Sequence, residues 1–322
     1  MRDSMWQLKN NYNHMKRIHY FRIPLYIFSF LLITHLSVGQ EVIEKTFSGI
    51  DILEMEIAGV DVIYTGIPGE RDIKLSALFG KNEDAGRSFF MVTVGNTLKV
   101  SYKNQNKEPV ILEKRFIHLE GPERIQISIR NTSGLVGVSQ VNAAETKLSV
   151  SSGKIDAKNV NGNLILKANS GKIEVRGIDG DLTCSITSGS AEIAQVSGNA
   201  DITANSGSLK ITSIQGLVNA KLSSGNLRME DVGELGRVSV SSGSIRATQS
   251  GLGRNTTLEG SSGSIDIQTF SQLNQFNYNL KAGSGSLRVG SISNSKTLTI
   301  ENGSEHTIRG SISSGSLQIR NM

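Results

Sequence analysis

Three carboxylates stand eighteen residues apart: Asp156, Glu174 and Glu192. On a structure that repeats with that period they would stack in one column, close enough to bind a divalent cation or act as paired acid and base. The first two are flanked two residues away by cations, Lys154 and Lys158 or Lys172 and Arg176. The same column then reverses sign at Lys210, Arg228 and Arg246. That pattern reads as a neutralised solvent face, in which each exposed pair contributes only ~0–1 kcal/mol. A second column is serine: Ser152, Ser170, Ser188, Ser206, Ser224, Ser242 and Ser262. Small hydroxyls there are expected to satisfy corner backbone groups; the sharper reading is a hydroxyl row that meets a polymer or a β-edge. No serine sits in a Gly-x-Ser-x-Gly elbow with a histidine partner, so hydrolase chemistry has no support.

The lone Cys184 falls on an inward position and reads as a small hydrophobe, since an apolar environment disfavours the thiolate. Beyond residue 39 the only histidines are His118 and His306, with no second histidine at ligand spacing. Asp179-Gly180-Asp181 looks like a fragment of a calcium loop, but the Gly-Gly-x-Gly-x-Asp context is missing, and aspartate with glycine also makes a corner. No catalytic, cofactor-binding or metal residue is assigned.

The element that positions these columns is a repeat. Glycines 153, 171, 189, 207, 225 and 243 are eighteen apart, each preceded by serine. Between them apolar residues run at spacing two, the strand period: Ile155, Ala157, Val160, Leu164, Leu166 and Ala168, then Ile173, Val175, Ile178, Leu182, Cys184 and Ile186. Gly162, Gly180, Gly198 and Gly216 lie halfway, so each coil reads as two short strands and two tight corners. This predicts an all-β, single-stranded parallel β-solenoid with about eighteen residues per coil. A left-handed hexapeptide helix also closes in eighteen residues, but its every-sixth positions from Ile155 are Asn161 and Lys167. A right-handed crossover is the prior for parallel strands, although spacing alone does not set the hand.

The register extends upstream to Ser133-Gly134 and downstream to Gly263, Gly285 and Gly315, with extra residues around 271–279 and 290–306 that loop out or cap the end. Residues 131–322 are therefore assigned to the solenoid. Residues 40–130 lack the period, alternate like strands, and hold most of the aromatics beyond residue 39; Gly95-Asn96 between two runs signals a hairpin. They are read as an irregular, strand-rich N-terminal cap continuous with the rod. The chain ends abruptly, so Leu317 to Arg320 is expected to be an open edge able to accept a partner's strand.

The first 39 residues read as a signal peptide, with Arg2, Lys9, Lys16, Arg17 and Arg22 before an apolar stretch and a cut before Gln40; an uncleaved anchor is the other reading. Their removal takes five of 34 Lys and Arg and one of 29 Asp and Glu, so the formal charge falls from +5 to +1. Nucleic-acid binding then has no electrostatic basis, and no stable membrane span follows the leader. Residues 131–269 contain no aromatic, which argues against a stacking groove along the regular block. Better ligand patches are the cap near Phe89, Phe90, Tyr102 and Phe116, or the insertion around Phe270, Phe276 and Tyr278.

Ser-Ser-Gly-Lys-Ile-Asp at 151–156, Ser-Ser-Gly-Ser-Ile at 241–245 and 261–265, and Phe47-Ser48-Gly49-Ile50-Asp51 followed by Ile57-Ala58-Gly59-Val60-Asp61-Val62 resemble the bacterial DUF4097 "putative adhesin" family, related to the DUF2807 "head GIN domain" proteins. The likeness covers about 45–320. It implies an exported β-solenoid of the cell envelope and brings no catalytic residues. The expectation is a non-enzymatic adhesin-like or structural scaffold in the periplasm, at the cell surface or secreted, with a protein or envelope partner at the C-terminal solenoid end. The alternative is a β-helix protein that binds or degrades polysaccharide.

Overall fold

The computed structural model describes residues 42–79, 88–103 and 115–322. The expected leader lies outside them. All described residues belong to one compact unit, Gly39–Met322. Seven strands come first: β1 (Val42–Ser48), β2 (Ile52–Ile57), β3 (Asp61–Ile67), β4 (Asp72–Leu78), β5 (Phe89–Val94), β6 (Thr97–Tyr102) and β7 (Phe116–Pro122). Four winding strands follow: β8 (Gln126–Asp179), β9 (Leu182–Val196), β10 (Ala200–Leu222) and β11 (Asn226–Thr269). The chain closes with β12 (Asn277–Val289), β13 (Ile292–Asn294), β14 (Thr297–Ile300) and β15 (Thr307–Asn321).

The molecule is all-β, an open and unclosed sheet wound as a solenoid-like repeat. Parallel partners in the regular block are eighteen residues apart: Leu164 with Leu182, Cys184 with Ile202, Leu209 with Leu227. Every apolar position of the two coils named above is buried. Alternation therefore does what the spacing implied: one side of each strand fills the interior, and equivalent aliphatics stack coil on coil. Each coil has an entry face, the strand leading into its Ser-Gly corner, and an exit face, the strand leaving it.

The Ser-Gly corner is dictated by close approach as well as by turn geometry. A Cβ at Gly171 would stand 2.0 Å from the carbonyl oxygen of Gly153, and one at Gly189 would stand 2.0 Å from that of Gly171. The backbone of each corner lies directly on the backbone of the previous one, so only hydrogen fits between. The same column continues through Gly263, Gly315 and Gly285, in that spatial order.

That order exposes the topology of the ends. The spatial sequence is β11, β15, β12, with β15 parallel to both neighbours: Ile265 with Leu317, and Leu287 with Leu317. The last strand is slotted between two coils made before it. The expected open edge at Leu317 to Arg320 is thus corrected: Leu317 to Ile319 are paired on both sides and Arg320 on one, because an inserted coil gains a hydrogen-bonded neighbour on each flank. The outermost coil is β12. It is covered by β14 on the entry face and β13 on the exit face, both antiparallel. Of the extra residues, 277–279 belong to that coil rather than to a loop, and the stretch 290–306 supplies its two covering strands.

The N-terminal end uses the same device. The β2–β3 coil lies between the start of β8 on one side and the β6–β7 rung on the other. Beyond that rung, β5 pairs antiparallel with β6 on the entry face, while on the exit face β4 pairs antiparallel with β7 and β1 antiparallel with β4. Val94 pairs with Thr97 across Gly95-Asn96, the hairpin that this dipeptide signalled. Large rings seal this end. Phe79 stacks on Tyr102 at 4.7 Å and meets Phe89 at 4.9 Å. Tyr64 donates its buried hydroxyl to the Pro122 carbonyl at 2.7 Å.

Candidate interaction surface

The acid column lies on the exit face, and its charges are matched within the chain. Asp156 has Lys158 at 3.0 Å and Lys154 at 3.5 Å; Glu174 has Lys154 at 2.6 Å and also Lys172; Glu192 meets Lys210 at 3.9 Å. Hydrogen bonds from Lys154 first, then Lys172, hold the Glu174 carboxyl down at about 2. A carboxylate held that far below its ordinary range is poorly suited to general acid or base work near neutrality.

Cys184 is 1% exposed, and desolvation pushes its thiol up to about 12. His118 stacks on Phe116 at 4.3 Å near the N-terminal end, while His306 lies beside β15 at the other, so the two histidines are not brought together. In the Asp179-Gly180-Asp181 corner, Asp181 accepts the Asn199 backbone N–H at 2.7 Å, and Asp179 accepts the Ser197 hydroxyl at 2.7 Å. Asp181 is one step of a ladder in which Asn163, Asp181 and Asn199 each accept the backbone N–H eighteen residues on. Its oxygen serves the next corner. Among the described residues, no group of three or more His, Cys, Asp or Glu side chains could hold a metal ion.

The serine column is exposed at Ser152, Ser170, Ser188, Ser206, Ser224, Ser242 and Ser262. None of these hydroxyls bonds a corner backbone group among the described residues, which corrects that expectation. The corner backbone instead bonds between coils, as Ser242 N–H does to the Ser223 carbonyl at 2.8 Å.

A further ladder went unread in the sequence. Gln140, Asn159, Gln195, Ser213, Asp231 and Gln249, together with Gly177, all hold φ between +49° and +72°. Each directly precedes a buried position such as Val160, Val196 or Ile214. A left-handed residue at that point turns the chain off the exit face, and polar side chains there face outward. The signal was present as turn-tolerant residues at the same eighteen-residue spacing from Asn159 onward.

Exposed apolar surface gathers where the period breaks. On β5, Phe90, Val92 and Val94 are 53%, 54% and 58% exposed, on alternate positions of one strand. Phe90 and Val92 border a groove of about 630 Å³ whose rim carries the ion pairs Lys99–Glu54 at 2.9 Å and Arg130–Glu56 at 3.8 Å. Among the described residues β5 pairs only with β6, and its other edge is unpaired by them. The other terminal strands are defended: β1 carries Glu44 and Lys45, and β13 and β14 have three and four residues. The run Phe89 to Val94 contains no charge. Because it is apolar on both faces, its sequence does not show which side is out. Of the expected aromatic patches, Phe89, Tyr102, Phe276 and Tyr278 are core, while Phe90 and Phe270 are exposed.

The chain is similar to several solved structures. One is a "putative lipid binding protein" from Parabacteroides distasonis, 16% identical over 87% of this chain and 96% of that one, with a TM-score of 0.40. Two are described as a "putative adhesin". That from Bacteroides fragilis is 14% identical over 88% and 99% of the two chains, TM-score 0.34. That from Parabacteroides merdae is 13% identical over 87% and 95%, TM-score 0.34. No curated protein matches this sequence. A family model described as Toastrack DUF4097 matches residues 54–240 and again 181–320, together almost all of the solenoid and its cap; the chain belongs to the Toastrack DUF4097 family.

Proposed function

We propose that this chain is an exported, non-enzymatic, adhesin-like scaffold: a right-handed solenoid of about eighteen residues per coil that holds a partner-binding edge at its N-terminal end. The observation that carries the reading is the contrast between its surfaces. The acid ladder of the rod is matched within the chain, whereas β5 presents three alternate apolar side chains and a backbone edge that is unpaired among the described residues. An uncharged edge of this length fits an extended, uncharged strand of a protein partner, with main-chain hydrogen bonds for affinity and Phe90, Val92 and Val94 for specificity. The basic leader and apolar stretch of 1–39 support export, and the family match supports the scaffold.

The test is the attachment of purified protein to intact cells of the producing bacterium, alongside protease shaving with mass spectrometry of the mature N-terminus. We expect shaving to release a chain that begins near Gln40. Saturable attachment should fall at least tenfold in Val92→Lys, which places a charge on the strand without disturbing its buried side. A chain inaccessible to protease, or attachment unchanged in Val92→Lys, overturns the reading. Glycan depolymerisation lost in Glu174→Gln would establish an enzyme instead.

A further inference from the structure

The corner opposite the Ser-Gly column carries a second surface of different chemistry. Its outward positions form two parallel rows. One contains the left-handed residues Gln195, Ser213 and Asp231; the other runs Asp179, Ser197, Gln215, Gly233 and Gly251. Along the second row the side chains shrink to hydrogen at Gly233, which is exposed, and at Gly251, which is buried. At that point an aromatic closes the groove. Phe270 is 53% exposed, and its ring edge lies 3.0 Å from where a Gly251 Cβ would stand. The groove so formed encloses about 580 Å³.

Phe270 is presented from a fixed backbone. Ser271 donates its N–H to Thr269 Oγ1 at 3.0 Å, accepts the Leu252 N–H on its hydroxyl at 2.9 Å, and accepts Asn321 Nδ2 on its carbonyl at 2.8 Å. An exposed phenyl ring held by three hydrogen bonds has a cost in solvent contact that neither the core nor the corner requires. The polar lining is also under-used. Ser197 and Asp179 bond each other, but Gln195, Gln215 and Asp231 make no side-chain hydrogen bond among the described residues. The lining carries two carboxylates, Asp179 and Asp231, and no cation. They sit three coils apart, ~14 Å, too far to share one metal ion.

We propose that this groove binds a neutral glycan. A sugar ring lies on the exposed Gly233 floor with its C–H face against Phe270, and its hydroxyls donate to Asp231 and bond with the amides of Gln215 and Gln195. Carboxylates with no balancing cation select against uronic or sulfated chains and favour a neutral, hydroxyl-rich one. The groove follows the rod axis, so successive sugars meet successive coils. The site is separate from the β5 edge and does not depend on it.

Affinity electrophoresis of the protein through gels holding laminarin, galactomannan, arabinoxylan or dextran, with alginate as the acidic counterpart, tests this. Retardation is expected in at least one neutral gel and not in alginate. Phe270→Ala should weaken it at least tenfold, equivalent to about 1.4 kcal/mol. Asp231→Asn, which keeps the left-handed corner because asparagine tolerates it, should weaken it threefold or more. Phe270→Trp should keep binding and shift its indole emission when the glycan is added. Any Phe270→Ala that fails to fold is replaced by the other two variants. No retardation in all four neutral gels, retardation in alginate alone, or retardation unchanged by both Phe270→Ala and Asp231→Asn overturns the proposal.

Discussion

Replacing Gly189 by alanine tests the corner-stacking argument directly. The added Cβ would lie 2.0 Å from the Gly171 carbonyl oxygen, with Gly171 N and C at 2.9 and 3.0 Å. Ordinary contact begins at 3.4 Å, so the two coils must part locally by about 1.4 Å. All three obstacles are backbone, and no side-chain rotation relieves them. The inter-coil pairs Ser170–Ser188, Gly171–Gly189 and Lys172–Ser190 would be strained or lost, at about 1 kcal/mol for each hydrogen bond. Gly189 also sits at φ +134°, a conformation that costs any other residue a further ~1–3 kcal/mol. The total is about 4–6 kcal/mol, against a typical stability of ~5–15 kcal/mol. Thermal unfolding followed by circular dichroism should show Tm lowered by roughly 8–24 °C. Because coils touch only their neighbours, hydrogen exchange should quicken first around residues 165–195 and not at the ends. Gly95→Ala is the control: it has φ +60° but nothing within 4 Å of its Cβ, so only ~1–2 kcal/mol of backbone strain is expected. If Gly189→Ala is no more destabilising than Gly95→Ala, the stacking argument is wrong.

Two further outcomes follow from buried and paired groups. Cys184 should resist a thiol reagent in the native protein at pH 8 and react promptly in denaturant, since burial pushes its thiol up to about 12; Cys184→Ser, which puts a hydroxyl among aliphatics, should cost ~1–3 kcal/mol in urea unfolding. The Glu174 carboxyl is held at about 2 against an ordinary 4.5, so its contribution is complete above about 4.5 and disappears as pH falls through about 2. Glu174→Gln should therefore flatten that part of the acid-stability curve, converging with the parent protein near pH 2 and lying below it at neutral pH by the same small amount, ~0–1 kcal/mol, because the pair is partly solvent-exposed.

Much of the fold was legible because the repeat is local. Spacing-two runs choose the strand and its inward side, so Leu164, Ile173, Cys184 and Ile193 could be placed in the core from one coil's worth of sequence. The Gly95-Asn96 hairpin was legible for the same reason. The left-handed ladder carried a period but no residue type strong enough to announce it. The serine column misled because its regularity belongs to the glycine beside it: the glycine meets the next coil's backbone, and the serine hydroxyl meets water.

The sequence by itself determined a rod: which residues point inward, where the chain turns, and that each coil rests on a near copy of itself. These follow from contacts within a coil and with the coil beside it. Only the tertiary structure decided the order in which the coils stack at the two ends. β15 lies inside the rod rather than at its tip, and the β2–β3 coil lies inside the β6–β7 rung. Among the described residues that order leaves β5 with an unpaired apolar edge, and it stands Phe270 over Gly251. Two coils of similar sequence offer nearly equivalent partners to a third, so adjacency depends on packing the whole end at once, and no local pattern of residues encodes it.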